Sequence, residues 1–399
     1  MRVLIADKIP DKYVVKIKDI VKEVIYEPTL KVDQLSNNIK DIDVLIVRST
    51  KVNEDCINVS NKLSLIIRAG AGVNNINIQE ANKKGIYVAN CPGKNSIAVA
   101  ELAMGLICAI DRKLPDNVIQ FREGKWNKAT FSKADGLYGK TIGVVGTGKI
   151  GKQLIKRSKA FGLNIIAWSR SLTQDKADYL EIYKCKDLNE LFEKADIVSI
   201  HLAQTNETKK IISAELINKM KNGACLINTS RAGVVDEEAL ISAVKDGKIF
   251  AGIDVFNDEP EFKQGDFNSK LIRVPNIYVT HHIGASTMQA QNAVAEETFN
   301  IIEQYKNTGV VKNWINRCEV TAAKFQLVIR HFDKPGVISK VLKLLSDEKI
   351  NVQEIENVIF DGELTACCKI MIVSKPSDNI IFNLTQNEED IIDVSLIEL

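Results

Sequence analysis

Short apolar runs alternate with amphipathic stretches along most of this chain. RVLIAD, EVIYEP, DVLIVRST, LSLIIRAG and IYVANC are Val/Ile-rich runs of strand length, and the stretches between them place apolar residues at helical spacing. Strands that are apolar at consecutive positions are buried on both faces, so residues 1–94 predict a parallel sheet covered by helices. A long helical segment, Asn95–Asp111, restarts the alternation. It continues through TIGVVG, NIIAWS, DIVSIHL, ACLINTS, IFAGIDVF and IYVTHH to residue 284, which predicts a second doubly wound α/β domain. Thr287–Tyr305 is helical in pattern and unbroken by Pro or Gly, and is expected to carry the chain back onto the first domain. Trp314–Ala323 reads as a linker. From Lys324 the order becomes βαββαβ: FQLVIRH, the helical GVISKVLKLLSDEK, INVQEIENVIF, ELTACCKIMIV, a weak helix and IIDVSLIEL. The expected domains are therefore 1–94 with 285–316, 95–284, and an α+β module at 324–399.

Composition adds limits. A chain of 399 residues is too long for one core, and 45% hydrophobic with 26% charged residues is ordinary for a globular protein. Lys+Arg 53 against Asp+Glu 51 leaves a formal charge of +2 with no dominant basic run, so neither a nucleic-acid nor a membrane-surface partner is expected. No apolar stretch approaches the ~18 residues that span a bilayer, and Asp7 interrupts the opening run too early for a signal peptide. Eight cysteines show no Cys-x-x-Cys pair and no framework spacing; a reducing, cytoplasmic setting without a metal site is expected.

The chemistry collects where strands stop. Arg231 follows LINTS (226–230), Asp254 lies in AGIDVF (251–256) with Glu259 in the turn beyond, and His282 follows IYVTH (277–281). Ligands of open parallel sheets bind outside the carboxyl ends of the strands, so these four side chains predict one site. An imidazole can take a hydroxyl proton while a hydride leaves the same carbon, a carboxylate behind it fixes the tautomer, and a planar guanidinium suits a carboxylate. Each residue alone also fits a strand end or helix cap; together they point to His282 as base, Glu259 as its support and Arg231 as substrate holder. His281 flanks them.

Gly146-Thr-Gly148-Lys149-Ile150-Gly151 follows the strand TIGVV and opens a helix, as a dinucleotide-binding turn does; a plain tight βα turn is the alternative. The ribose-reading position, 18 residues after Gly151, carries Ser169-Arg170-Ser171 where an acid is usual for NAD. Serine and arginine can accept a 2′-phosphate, so NAD(P) is expected with a lean toward NADP(H), an NAD enzyme without the acid being the alternative.

Together with VRSTKV (47–52), RAGAGVNNIN (68–77), ANCPGKNSIAVAELAMGLI (89–107), NTSRAGVVDEEAL (228–240), GIDVFNDEP (252–260) and THHIGAST (280–287), these segments resemble the D-isomer-specific 2-hydroxyacid dehydrogenases over nearly the first 310 residues. The resemblance implies two Rossmann-like domains with the active cleft between them. It implies catalytic roles for Arg231, Glu259 and His282, and a cofactor set of Gly146, Gly148, Lys149, Ile150, Gly151, Ser169, Arg170, His201, Ser230, Asp254 and Gly284. Substrate would meet the backbone of Ala69, Gly70, Ala71 and Gly72 and the side chain of Asn95, with Arg48, Ser49, Lys51 and Lys128 nearby for a phosphate. The expected preferred reaction turns D-3-phosphoglycerate into 3-phosphohydroxypyruvate, the first step of serine synthesis. Two family positions depart: His281 and Ala203 stand where members have proline.

The last module resembles an ACT domain, on His331-Phe-Asp333-Lys-Pro335-Gly336-Val and Asn351. That implies an amino-acid effector such as serine at His331, Asp333 and Asn351; a turn residue at Asp333 and an edge-strand end at His331 are the alternatives. The family implies a homodimer through the cofactor domain near Trp126, or a homotetramer if the terminal modules also pair. Competing functions are a glyoxylate, hydroxypyruvate or other 2-ketoacid reductase and, from another class, a dinucleotide-sensing binding protein or corepressor. A pure amino-acid-binding regulator would account only for the terminal module.

Overall fold

The computed structural model describes residues 1–30, 32–257, 259–260, 265–272, 274–386 and 388–399. Its chain forms two compact units, Met1–Asn316 and Arg317–Leu399.

The first unit contains two parallel sheets. One is built from β1 (Arg2–Ile5), β2 (Glu23–Tyr26), β3 (Val44–Val47), β4 (Leu65–Arg68) and β5 (Tyr87–Asn90) in the order β2-β1-β3-β4-β5. Val44–Val47 is buried at every position, as a strand covered on both faces requires. Separate apolar clusters fill the two faces, one around Ile5, Ile46 and Ile67 and the other around Leu4, Leu45 and Ile66. The other sheet takes β6 (Thr141–Val145), β7 (Asn164–Trp168), β8 (Tyr183–Lys184), β9 (Ile197–Ile200), β10 (Ala224–Asn228), β11 (Ile249–Ile253) and β12 (Ile277–Val279) in the order β12-β11-β10-β9-β6-β7-β8. It too has an apolar cluster on each face. Strand order reverses between β1 and β3 in one sheet and between β6 and β9 in the other, and crevices open outside the carboxyl ends at such points.

Two crossings join the sheets. After β5 the chain enters the helix Ser96–Asp111, which packs on the second sheet through Ala100, Ala103 and Ile107. The helix Met288–Thr308 returns it, seating Ala295, Ile301 and Ile302 on the first. Thr287 caps that helix by accepting the Ala290 N–H at 3.1 Å, and Gly309 ends it in the left-handed conformation (φ 73°).

The three strands that precede the candidate residues end earlier than their apolar runs suggest. β10 stops at Asn228 because its side chain accepts the Ser230 N–H (3.1 Å) and hydroxyl (2.8 Å) and donates to the Arg231 carbonyl (3.0 Å). β11 stops at Ile253, where the Asp254 side chain takes up the next loop, and β12 stops at Val279. The expected linker also begins later. Ile315 N–H donates to Val88, Asn316 Oδ1 accepts the Val88 N–H (2.8 Å), and Trp314 stacks edge-on against Tyr87, so Trp314–Asn316 belong to the first unit.

The second unit is an antiparallel sheet of β13 (Phe325–Phe332), β14 (Val352–Ile359), β15 (Thr365–Ile372) and β16 (Ile391–Glu398) in the order β14-β15-β13-β16, with the helices Val337–Asp347 and Asp378–Gln386. Its core joins Leu327, Ile329, Val341, Leu345, Ile370 and Leu384. Among the described residues no helix is long and apolar enough to cross a membrane.

A buried carboxylate ties the two crossings of the first unit together. Glu297, on the returning helix, accepts from Lys94 (3.0 Å), Lys312 (3.1 Å) and Asn313 (2.8 Å) with its side chain only 5% exposed. Burial alone would raise its carboxyl; the hydrogen bonds from Lys94, Asn313 and Lys312 outweigh that and hold it at about 2. A carboxyl held below its unfolded value, about 4.3, stabilises the fold above that value and loses the contribution as pH falls toward the folded one. Glu297→Gln is therefore expected to lower the melting temperature by about 3–6 °C at neutral pH, with the difference from wild type shrinking between pH 5 and 2. A pH-independent difference in thermal melts would contradict this account of the clasp.

Candidate functional site

On the side of the first sheet, the site is built at strand ends. Arg48, Ser49 and Thr50 follow β3, and Arg68 ends β4. Arg68 Nε donates to the Arg48 carbonyl at 3.1 Å. Its guanidinium occupies the space above Gly70, where a Cβ would fall 1.7 Å from Arg68 Nη1. Arg231, from the other sheet, fills the space above Gly72 in the same way, with Nη2 2.3 Å from a Cβ there. Two glycines of one loop thus make room for two guanidinium groups. Burial lowers the Arg68 pKa most, the charges of Arg231 and Arg48 lower it further, and it stands at about 10. These three crowded cations fit an anion.

The backbone of that loop offers less than the resemblance implies. Ala69 N–H donates to Val47 O and Gly70 N–H to Arg68 O, both at 2.7 Å, while the Ala71 carbonyl accepts from Asn90 at 2.6 Å. Among the described residues, that leaves the Ala71 and Gly72 N–H groups for an incoming carboxylate.

The second sheet supplies the titratable pair. Asp254, 1% exposed, accepts from the Thr280 hydroxyl (2.6 Å), the Ile283 N–H (2.9 Å) and the Gly284 N–H (2.9 Å). That clasp holds the loop in which His282 takes a left-handed backbone (φ 49°), a conformation that needs support in a non-glycine residue. His282 Nδ1 lies 2.8 Å from Glu259 Oε2. A carboxylate accepts, so Nδ1 carries the proton and Nε2 is left for substrate. Burial of Glu259 opposes its ionisation, but the His282 hydrogen bond and charge, the Phe256 N–H and the Arg231 charge together hold its carboxyl below the ordinary range.

These residues share one cleft of about 820 Å³, lined by Arg48, Arg68, Gly72, Arg231, Glu259 and His282. A smaller adjoining cavity of about 250 Å³ shares Arg48, Ser49, Arg68 and His282 and adds Asn95, whose Oδ1 is buried without a partner. Lys51 lines the larger cleft, and His281 is exposed beside His282.

The glycine-rich turn lies at the β6/β9 reversal. A Cβ on Gly146 (φ 96°) would meet the His201 carbonyl at 2.5 Å, and one on Gly151 would meet the Gly146 carbonyl at 2.0 Å, so packing requires both. Gly148 faces open space at the start of the helix Lys149–Ala160, with Ile150 in its first turn. Burial pushes His201 down to about 4, so its ring is neutral; Nε2 pairs with Ser199 at 2.9 Å and Nδ1 is buried without a partner, as is Thr229 Oγ1. An open helix N-terminus beside unpaired buried polar atoms fits a dinucleotide.

Several side chains expected at the cofactor are engaged elsewhere. Ser230 holds Asn228, and the Gly284 N–H belongs to Asp254. Asp254 thus acts as a clasp with all its observed bonds to the chain. Lys149 runs over Gly93 to donate to the Pro92 carbonyl at 3.0 Å, away from the turn it belongs to. Arg170, beyond Ser169, pairs with Glu207 at 2.8 Å, both largely exposed. The Ala203 carbonyl accepts the Thr208 hydroxyl at 2.6 Å.

Other expected residues lie apart. Lys128 lines a separate hollow with Phe121 and Trp126, the latter 82% exposed. In the second unit His331 is 1% exposed and both ring nitrogens are engaged, Nδ1 by the Phe332 carbonyl (2.8 Å) and Nε2 by Asn357 Oδ1 (3.1 Å); the ring has no edge for an effector. It lies on β13, an inner strand and not an edge, while Asp333 and Asn351 are exposed. The sequence reading missed Arg68 and Asn228, although both sit at strand ends, where the rule that found Arg231 also applied.

The model of the D-isomer specific 2-hydroxyacid dehydrogenase NAD binding domain matches residues 104–284. A D-3-phosphoglycerate dehydrogenase of Methanocaldococcus jannaschii is 37% identical over 366 residues, 91% of this chain and 68% of the relative. A hydroxypyruvate reductase of Thermotoga maritima is 42% identical over 285 residues, 70% of this chain and 90% of the relative. Among solved structures, a cofactor (NAD+) bound 3-phosphoglycerate dehydrogenase of Entamoeba histolytica superposes with a TM-score of 0.66 at 29% identity, covering 79% of this chain and 99% of that one.

Gly72→Ala must displace the Arg231 guanidinium. It is expected to raise the KM of a carboxylate substrate by about tenfold or more while moving the melting temperature by less than about 2 °C. An unchanged KM would mean that Arg231 does not work from above this glycine.

Proposed function

We propose that this chain, which belongs to the family of D-isomer specific 2-hydroxyacid dehydrogenases, oxidises D-3-phosphoglycerate at C2 to 3-phosphohydroxypyruvate, the reaction that opens serine synthesis. The observation that carries this reading is the crowding of Arg48, Arg68 and Arg231 in the cleft that holds the His282–Glu259 pair. One guanidinium would suffice for a monocarboxylate; three suit a substrate with a carboxylate and a phosphate.

In this reading Arg231 and the Ala71 and Gly72 N–H groups hold the C1 carboxylate. Arg48, Arg68, Ser49 and Lys51 take the phosphate. The C2 hydroxyl then faces His282 Nε2, which removes its proton as the C2–H bond breaks and the carbonyl forms. Glu259 accepts from Nδ1 and stabilises the imidazolium; its low carboxyl pKa keeps it charged while His282 gains a proton. A bound nicotinamide dinucleotide would supply the acceptor for the hydride that leaves C2. Gly146, Gly148 and Gly151 would seat its pyrophosphate, with His201 and Thr229 offering polar atoms nearby. His282→Ala is expected to lower kcat by about 10²–10⁴-fold with cofactor affinity within about twofold of wild type, read by stopped-flow turnover and fluorescence titration. Unchanged turnover would remove His282 from the chemistry.

A second reading, a hydroxypyruvate or glyoxylate reductase, is favoured by the 42% identity to the Thermotoga protein over most of that protein's length. Rates with phosphohydroxypyruvate, hydroxypyruvate and glyoxylate decide between them. The first reading expects the phosphorylated acid to lead in kcat/KM by about two orders of magnitude; parity would favour the second.

For the cofactor, Ser169 and Arg170 support use of NADP(H), and Glu207 competes for the Arg170 guanidinium. An exposed pair of this kind is weak, so Arg170 remains available to a 2′-phosphate. Glu207→Gln is expected to raise the NADPH/NADH ratio of kcat/KM by about threefold to tenfold. A ratio that does not move would take Arg170 out of cofactor choice.

The βαββαβ order of the second unit supports the ACT-like reading, with Asp333 and Asn351 as the effector contacts that remain. Exposed Leu114, Val118, Ile119, Phe121 and Trp126 support pairing with a second copy through the helix Leu114–Arg122 and the loop after it.

A further inference from the structure

Asp7 stands at the end of β1, beside the β1/β3 reversal where the crevice of the first sheet opens. It is 4% exposed; among the described residues no cation comes within salt-bridge distance of its carboxylate, although its charge acts on the Arg68 guanidinium from further away. Instead a single oxygen, Oδ2, accepts three consecutive backbone N–H groups: Arg48 at 2.7 Å, Ser49 at 2.9 Å and Thr50 at 2.9 Å. Those three residues form the turn that presents Arg48 and Ser49 to the cleft.

The other side of the same turn is held by the cleft's own residues. The Arg48 carbonyl accepts from Arg68 Nε at 3.1 Å, and the Thr50 carbonyl accepts from Asn75 Nδ2 at 2.8 Å. Asp7 is therefore the anchor on the N–H side of a peptide whose carbonyl side orients a second arginine. If the turn shifts, Arg48 moves directly and Arg68 loses the acceptor that aims its guanidinium over Gly70. Asp7 itself lines the cleft beside these cations.

We propose that Asp7 is a positioning residue for substrate: it sets the geometry of the 48–50 turn and, through it, the spacing of Arg48 and Arg68 around the substrate's second anionic group. This rests on the phosphorylated-substrate reading above. Asp7 touches no reacting atom, so its effect falls on KM and not on kcat.

The test compares wild type with Asp7→Ala, Asp7→Ser and Asp7→Asn in the full-length protein. KM and kcat are measured for phosphohydroxypyruvate and hydroxypyruvate at saturating cofactor, together with melting temperature. Asp7→Ala is expected to raise KM for phosphohydroxypyruvate by about tenfold or more, with kcat within about threefold and KM for hydroxypyruvate changed less. Asp7→Asn keeps an oxygen at the same reach and is expected to restore KM to within about threefold of wild type. Asp7→Ser places its oxygen short of the three amides and is expected to follow alanine, so it serves if the alanine variant does not fold. Unchanged KM in Asp7→Ala or Asp7→Ser overturns the proposal, as does an asparagine variant no better than either, or a loss confined to kcat and melting temperature. If wild type shows no preference for the phosphorylated acid, the functional reading fails instead. Asp7 is then judged by the same KM shift and asparagine rescue on the acid the enzyme does use.

Discussion

Same-sign charge in a confined space is the constraint on which this site depends. Arg68 and Arg231 lie over Gly70 and Gly72, which lack the side chains that would keep guanidinium groups away, and Arg48 lines the same cleft. Crowding costs the cations: Arg68 is held at about 10, first by burial and then by Arg231 and Arg48. An assembly of this kind is most favourable with an anion in it, because one ligand offsets both the desolvation and the mutual repulsion. The proposed substrate class rests on these electrostatics before any titratable pair is considered.

The candidate acid–base pair is held in place by a different device. The loop bearing His282 has a left-handed residue at its centre, and the buried Asp254 carboxylate holds it through Thr280, Ile283 and Gly284. Glu259 then orients the ring from one side. In the proposed reading the two sheets contribute separable functions, anion holding largely from one and proton handling from the other. Glu297 binds both crossings between them.

Much of this was legible in the chain. Alternating apolar runs gave both parallel sheets and the βαββαβ tail, and the strand-end rule brought Arg231, Asp254, Glu259 and His282 to one edge. What stayed hidden depended on tertiary partners. Arg68 reads as the polar end of an apolar strand until Gly70 is seen beneath it, and Asp7 reads as a break in an apolar run until the 48–50 amides gather on it. Lys149 belongs to the phosphate-binding turn by position, but its long stem reaches Pro92 instead. His331 looked available at a strand end; the sheet order makes its strand an inner one, and the ring is buried against Asn357. Lys128 falls on a different surface altogether. Local pattern identifies elements and their ends, whereas the partner of a long flexible side chain is decided by packing.

The central claim is that the arginine cluster selects an acid with a second anionic group. Calorimetric titration of the cofactor-saturated protein with D-3-phosphoglycerate and with D-glycerate, at low and high ionic strength, tests it most directly. The account predicts that the phosphorylated acid binds about 100-fold or more tightly than D-glycerate at low salt, with the gap narrowing as salt rises. Equal affinities that do not respond to salt would contradict it.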